Sequence, residues 1–221
     1  MQHSEGFDFE VTIKSSSDPP IVLLHGSSGR ETDWGDFAQH VAPRSTCLSV
    51  RGPIPTEQGF TFFRRNPDRS LNLEELAHRA EELCAFLEAI SGQLGFSLPP
   101  VIAGYSSGAV IAAAVVARRS TLTSGAILLR PQSPNPQRPS PMLERYPVLI
   151  LAGAHDDRRT RSDAPMVAEQ FCVAGAHVTY RELDAGHGGN KPAWTDRFQD
   201  SGLQSGSSDA RGRPFSECQP V

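Results

Sequence analysis

Short unbroken apolar runs alternate with longer stretches whose apolar residues recur at helical spacing, and this rhythm holds from residue 7 to residue 188. Ile21-Val22-Leu23-Leu24, Cys47-Leu48-Ser49-Val50, Pro100-Val101-Ile102-Ala103, Gly125-Ala126-Ile127-Leu128-Leu129 and Val148-Leu149-Ile150-Leu151 each predict a strand covered on both faces. Phe7 to Ile13 alternates apolar and polar residues, which predicts an edge strand with one wet face, and Val178-Thr179-Tyr180 predicts a last strand. Between them, Trp34, Phe37, Ala38 and Val41 share one helical face. Asn72 followed by Glu75 is an N-cap pattern. Leu73, Leu76, Ala77, Ala80, Leu83, Cys84, Leu87 and Ile90 then trace one side of a long helix. A further helix follows Ala103, and Asp163 with Pro165 opens one carrying Val167, Phe171 and Val173. The alternation of strand and helix predicts an α/β fold: a mostly parallel sheet with helices on both faces, and reactive groups at the carboxyl ends of its strands.

Two connections break the rhythm. Gly52 to Asp68 is irregular, and Arg130 to Tyr146 holds Pro131, Pro134, Pro136, Pro139 and Pro141, which no helix accommodates. The second is a loop too small to be a large cap domain. After residue 188 the composition shifts to Gly, Ser, Asp and Arg, with Trp194, Phe198 and Leu203 the only large apolar residues before Phe215. The expected organisation is one domain over 1–188 and a low-complexity tail over 189–221, mostly disordered, with a short helix near Trp194.

Composition narrows the function. A chain of 221 residues, 38% hydrophobic, buries one sizeable core. A net charge of -4 with only single arginine pairs at Arg64-Arg65 and Arg118-Arg119 offers no basic face, so nucleic acid is not an expected partner. No apolar run reaches the roughly 20 residues that span a bilayer, and the first ten residues lack a signal-peptide pattern, so a cytoplasmic protein is expected. Cys47, Cys84, Cys172 and Cys218 are widely spaced, which suggests neither a zinc site nor a disulfide framework. The first three sit at apolar positions, as core residues do, and Cys218 is expected to be an exposed thiol.

The chemistry concentrates at Gly104-Tyr105-Ser106-Ser107-Gly108, between an apolar strand and the apolar helix that begins at Ala109. A serine at the apex of so sharp a strand-turn-helix is held in a strained backbone conformation, with its hydroxyl exposed beside a helix N-terminus. The flanking glycines remove Cβ atoms that would clash. A serine nucleophile needs an imidazole to take its proton and a carboxylate to orient the imidazole. Asp156 follows the strand Val148 to Leu151, and His187 follows the last strand, giving the order Ser106, Asp156, His187. His25, His155 and His177 compete for the base, and Asp157 and Asp184 for the acid. His177 opens a strand and so points away, whereas His25 suits the shaping of a turn.

Several stretches together resemble the α/β-hydrolase fold and, within it, the small phospholipase/carboxylesterase family, over about residues 20 to 188. They are Leu24-His25-Gly26-Ser27-Ser28-Gly29, Val50-Arg51-Gly52-Pro53, Phe62-Phe63-Arg64-Arg65, the Ser106 turn, Ala126 to Pro131, Leu151 to Asp156 and Ala185-Gly186-His187. The resemblance implies backbone amides at Ser27 and Ser107 as an oxyanion hole, a small-molecule ester as substrate, and no metal or organic cofactor. After His187 the chain departs from the family, which continues into a helix.

Phe60, Phe62 and Phe63 are candidates for the wall of an acyl pocket, with plain core packing as the alternative. Arg64 and Arg65 read as a solvated turn or a structural ion pair, with anion recognition as the other option. The expected activity is hydrolysis of carboxylic esters through an acyl-enzyme, with a thioesterase or lysophospholipase as alternatives. A non-catalytic binding protein on the same fold is the alternative of another class. A dienelactone hydrolase fits less well, since a cysteine usually stands where Ser106 does. The sequence leaves a homodimer open.

Overall fold

The structure is a computed structural model of the 221-residue chain and describes residues 1–14, 17–134 and 143–188. Its strands are β1 (Gln2–Ser4), β2 (Phe7–Thr12), β3 (Ile21–Leu24), β4 (Cys47–Val50), β5 (Ile54–Pro55), β6 (Phe60–Thr61), β7 (Val101–Tyr105), β8 (Gly125–Leu129), β9 (Pro147–His155) and β10 (His177–Gly186). The α-helices are α1 (Gly35–Val41), α2 (Leu73–Gln93), α3 (Ser107–Arg119) and α4 (Asp163–Val173).

Eight strands form one sheet in the order β1-β2-β4-β3-β7-β8-β9-β10. From β4 to β10 all neighbours are parallel, and only β1 with β2 and β2 with β4 run antiparallel. The chain moves outward from β3 to β4 and then crosses back to β7 on the other side of β3. That reversal opens a crevice at the carboxyl ends of β3 and β7, where ligands of such sheets collect.

The central strands are buried because both faces are covered. One cluster joins Val22, Leu24, Ile102, Leu128 and Ile150 to α2, α3 and α4. A smaller one on the opposite face joins Ile21, Leu23, Ala103, Leu129 and Leu151 to Trp34, Phe37 and Ala38. The successive residues of each strand split between the clusters, as the period of two requires. α2 begins where the cap pattern places it, with the Asn72 side chain accepting a 3.0 Å hydrogen bond from the Glu75 N–H.

Three expectations need correction. β2 is not an edge strand: β1 covers it through a two-residue turn with φ of 45° at Glu5 and 79° at Gly6, the hairpin geometry that matches strand twist. The polar Gln2-His3-Ser4 gave no apolar signal for β1. The stretch from Gly52 to Asp68 carries the small β5–β6 hairpin. Cys172 is disulfide-bonded, where no cross-link was expected. Cys84, by contrast, is a buried free thiol whose pKa burial pushes up to about 11. The tail over 189–221, with Cys218 and the expected helix near Trp194, lies outside the described residues. Among those described, no helix is long and apolar enough to cross a membrane.

Candidate active site

Ser106 stands between the last residue of β7 and the first of α3, with φ 54° and ψ -110°. Positive φ in a residue other than glycine is costly. Here the neighbours enforce it: the Ser106 N–H donates to the Leu129 carbonyl at 2.9 Å, and the Ser106 carbonyl accepts from the Val110 N–H at 3.1 Å. The glycines permit the turn by their bareness. A Cβ on Gly104 would lie 2.3 Å from the Gly108 carbonyl oxygen, and one on Gly108 would lie 2.2 Å from that of Leu24.

His187 follows β10 directly. Its Nε2 lies 2.8 Å from Ser106 Oγ, and its Nδ1 lies 2.8 Å from both Asp156 oxygens. An ionised carboxylate only accepts hydrogen bonds, so Nδ1 carries the proton and Nε2 is free to accept from the serine hydroxyl. The His187 and Asp156 side chains are each 4% exposed. Burial is the main influence on the imidazole and lowers its pKa from the usual value; the Asp156 hydrogen bond opposes it. The rivals lie elsewhere. Asp157 and His177 are exposed, while Asp184 pairs with His155 on the exposed surface at 2.9 Å.

His25 is buried and neutral in role. Its Nε2 accepts from the Gly52 N–H at 2.9 Å, which requires Nδ1 to donate to the Gly26 carbonyl at 2.7 Å. Burial lowers its pKa. The imidazole thereby fixes the turn from Gly26 to Gly29 over Ser106: a Cβ on Gly26 would lie 3.6 Å from that of Ser106. The next residue is Ser27. Its N–H and that of Ser107, at the first position of α3, take no part in the backbone hydrogen bonds outside regular elements among the described residues. The turn is held from outside by Glu31, 4% exposed, which accepts two 2.6 Å hydrogen bonds from Arg51. That pairing holds the Glu31 carboxyl below its usual range.

The three phenylalanines separate. Phe62 and Phe63 belong to the hydrophobic core, Phe62 with its ring 4.8 Å from that of His25. Both pack behind His25 and its turn, as core residues do. Phe60 is half-buried, with the Arg51 guanidinium 4.5 Å and that of Arg30 5.6 Å from its ring centre.

Three contributors escaped the sequence reading. Arg130 is 2% exposed, with φ 55°, and donates to the Gly186 carbonyl at 3.2 Å and the Leu151 carbonyl at 3.1 Å, tying the His187 loop to the strand before Asp156. The Tyr105 hydroxyl donates to the His187 carbonyl. Arg159 places Nη2 3.3 Å from Ser106 Oγ and Nε 2.9 Å from the Arg130 carbonyl. The available signal was an arginine directly after an apolar strand at the carboxyl edge for Arg130, and a basic pair in the loop of Asp156 for Arg159. A cavity of about 570 Å³ is lined by Arg130, Asp156, Arg159 and Tyr180 but not by Ser106. Among the described residues no cluster of three or more His, Cys, Asp or Glu could hold a metal ion.

A parallel sheet bearing a serine elbow, with a carboxylate and a histidine after its last two strands, defines an α/β hydrolase. Comparison with known proteins agrees. The chain is 31% identical over 175 residues to MhqD of Bacillus subtilis (strain 168), a protein named as a hydrolase, covering 79% of this chain and 88% of that one. The carboxylesterase of Bacillus cereus superposes with a TM-score of 0.78 at 26% identity, covering 87% of this chain and 92% of the other. For the carboxylesterase of Mesorhizobium loti the TM-score is 0.79 at 26% identity, with 89% and 95% covered. No family model matches the sequence. The chain belongs to the phospholipase/carboxylesterase family of the α/β hydrolases.

Proposed function

We propose that this hydrolase is a serine carboxylesterase working through an acyl-enzyme, with Ser106 as nucleophile, His187 as base and Asp156 as its orienting acid. The observation that carries the reading is the unbroken hydrogen-bonded chain from Ser106 Oγ through both ring nitrogens of His187 to Asp156. Ser106 attacks the ester carbonyl while its proton passes to His187 Nε2. The imidazolium that forms is stabilised by Asp156 and protonates the leaving alcohol. A water molecule, deprotonated by the same nitrogen, then releases the acid. The negative charge on the carbonyl oxygen is met by the amides of Ser27 and Ser107. One such N–H is typically worth about 3 kcal/mol of barrier. The close approach of the Gly26 turn to Ser106 supports their placement.

A fluorophosphonate probe tests the reading. It is expected to label wild-type protein covalently at Ser106, and Ser106→Ala is expected to lose both labelling and turnover of 4-nitrophenyl esters by about four or more orders of magnitude. A protein that hydrolyses these esters equally well after the substitution does not use this nucleophile. One that binds esters without labelling is a binding protein on the same fold.

A further inference from the structure

Two half-buried arginines, one against Ser106 and one bonded to the segment after β8, are not required by the ester chemistry. Arg159 comes from the loop after β9 and touches the nucleophile itself, with Nη2 3.3 Å from Ser106 Oγ. Arg65 comes from the segment after β6. It donates Nη2 to the Gln132 side chain at 3.0 Å and Nη1 to the Arg69 carbonyl at 2.9 Å, which turns it toward the carboxyl end of β8. Both residues are half-buried, and neither has a carboxylate within 4.0 Å among the described residues. Six arginines elsewhere, Arg44, Arg51, Arg64, Arg79, Arg118 and Arg119, each pair with Asp or Glu.

A guanidinium withdrawn from water without a counter-ion is unfavourable, and these two are anchored to one short segment, Arg159 on the Arg130 carbonyl and Arg65 on the Gln132 side chain. Burial lowers the pKa of both, and Arg65 lowers that of Arg159 further, so they share one electrostatic environment. The carboxylates in range are Asp156, already engaged by His187, and Asp163, which accepts from the Thr160 N–H. Both attract from a distance, and neither neutralises the pair. An anion would neutralise the pair, and the planar donor fork of arginine matches a carboxylate.

Resting on the esterase reading above, we infer that Arg159 and Arg65 form a carboxylate-recognising subsite, and that the preferred substrate is a short ester carrying a negative charge a few bonds from its scissile carbonyl. The one hydrogen bond that separates Arg159 from the nucleophile fixes this spacing, since a longer spacer would carry the charge past both guanidinium groups. Anion binding would take Arg159 from Ser106 Oγ, leaving that oxygen bonded to His187 alone when it attacks.

The test compares matched esters on the full chain. The mono-4-nitrophenyl ester of glutaric acid is set against neutral 4-nitrophenyl valerate, and 3-acetoxybenzoate against phenyl acetate, so that the charge is carried on the acyl side or the alcohol side. In wild type, kcat/KM for the charged member of at least one pair is expected to exceed that of its neutral partner by about tenfold or more at low salt, and the advantage to shrink as salt rises. Arg65→Gln and Arg159→Gln are each expected to cut that ratio about tenfold, mostly through KM, while the Lys variants retain part of it. Arg159 also braces the Arg130 carbonyl, so Arg65→Gln gives the answer if Arg159→Gln fails to fold. Ratios near or below one in both pairs, or ratios untouched by both substitutions, overturn the subsite while neutral-ester turnover still upholds the esterase. A separate titration of Ser106→Ala with glutarate needs no chemistry. Saturable binding lost in Ser106→Ala/Arg65→Gln supports the subsite even if no ester is cleaved, and absence of binding counts against it.

Discussion

The two flanks of Ser106 are built on different plans. On the β3 side, the turn from Gly26 to Gly29 is braced three times: by His25 with both ring nitrogens engaged, by the Arg51–Glu31 pair, and by Phe62 in the core behind. Its strand lies in the middle of the sheet, covered on both faces. On the β9–β10 side, Asp156 and His187 follow the last two strands, and β10 is the sheet edge, with most of its residues partly or fully exposed. There, Arg130 and Tyr105 reach across from inner strands to hold the carbonyls of Gly186 and His187. One flank is an extension of the core, and the other is a peripheral loop tethered to it. Damage to the first should therefore register mainly as lost stability, and damage to the second mainly as lost rate.

The largest effect is expected from Asp156→Asn. The amide can present its NH2 to Nδ1 of His187, which moves the ring proton to Nε2, where it can no longer accept from Ser106. The rate of acylation should fall by about 10⁴, the scale seen when the carboxylate of such a triad is replaced by its amide. Asp157→Asn and Asp184→Asn should stay within about twofold of wild type, since neither contacts the base. Burst kinetics with 4-nitrophenyl acetate measure all three. A large loss in Asp157→Asn with normal Asp156→Asn would reverse the assignment of the acid and undo the comparison on this flank.

What could be read before the fold was known divides along the same line. Ser106, His187 and Asp156 announced themselves because each directly follows an apolar strand, and strand ends in a parallel sheet share one edge. The role of His25 in its turn was legible for the same reason. The aromatic run was ambiguous: Phe62 and Phe63, just after a short hairpin, allowed either core packing or a pocket wall, and both lie in the core. β1 was invisible because an edge strand of three polar residues has no hydrophobic period. Arg130 and Arg159 were missed because arginine in a loop ordinarily means solvent, and only the three-dimensional path shows one beneath Gly186 and the other against Ser106. Contacts made by long polar side chains across strands carry almost no local signature.

Glu31→Gln tests the stable flank. The carboxylate is nearly inaccessible and holds Arg51 by two hydrogen bonds, so removing its charge leaves a partly buried cation with a weaker partner. A loss of about 2–3 kcal/mol in unfolding free energy is expected, below the usual cost for a fully buried pair because Arg51 is partly exposed. The pH dependence has a definite sign. A carboxyl whose folded pKa is depressed contributes stability above its unfolded pKa and loses it as pH falls through the folded value. Wild type and variant should therefore converge in acid and separate toward neutrality. Urea unfolding at several pH values measures this. A constant gap at all pH values would mean that shape and not charge holds the turn.

The smallest effect is expected from Tyr105→Phe, which removes one tether of the looser flank and leaves the ring in place. Losing the donor to the His187 carbonyl should cost about 1 kcal/mol of stability, and the rate should fall only a few-fold if Arg130 holds the loop unaided. The pH profile distinguishes a loosened loop from a merely weakened bond. Burial keeps the His187 pKa below its usual value, so in wild type kcat/KM should be flat at neutrality and fall only in acid, where the imidazole gains a proton and can no longer take one from Ser106. If the tyrosine hydroxyl keeps the ring in its dry slot, water will reach the imidazole in the variant and favour its charged form, moving the acid limb upward toward the ordinary histidine value of about 6.5. An acid limb that stays put would assign that task to Arg130 alone, making the peripheral flank depend on a single buried guanidinium.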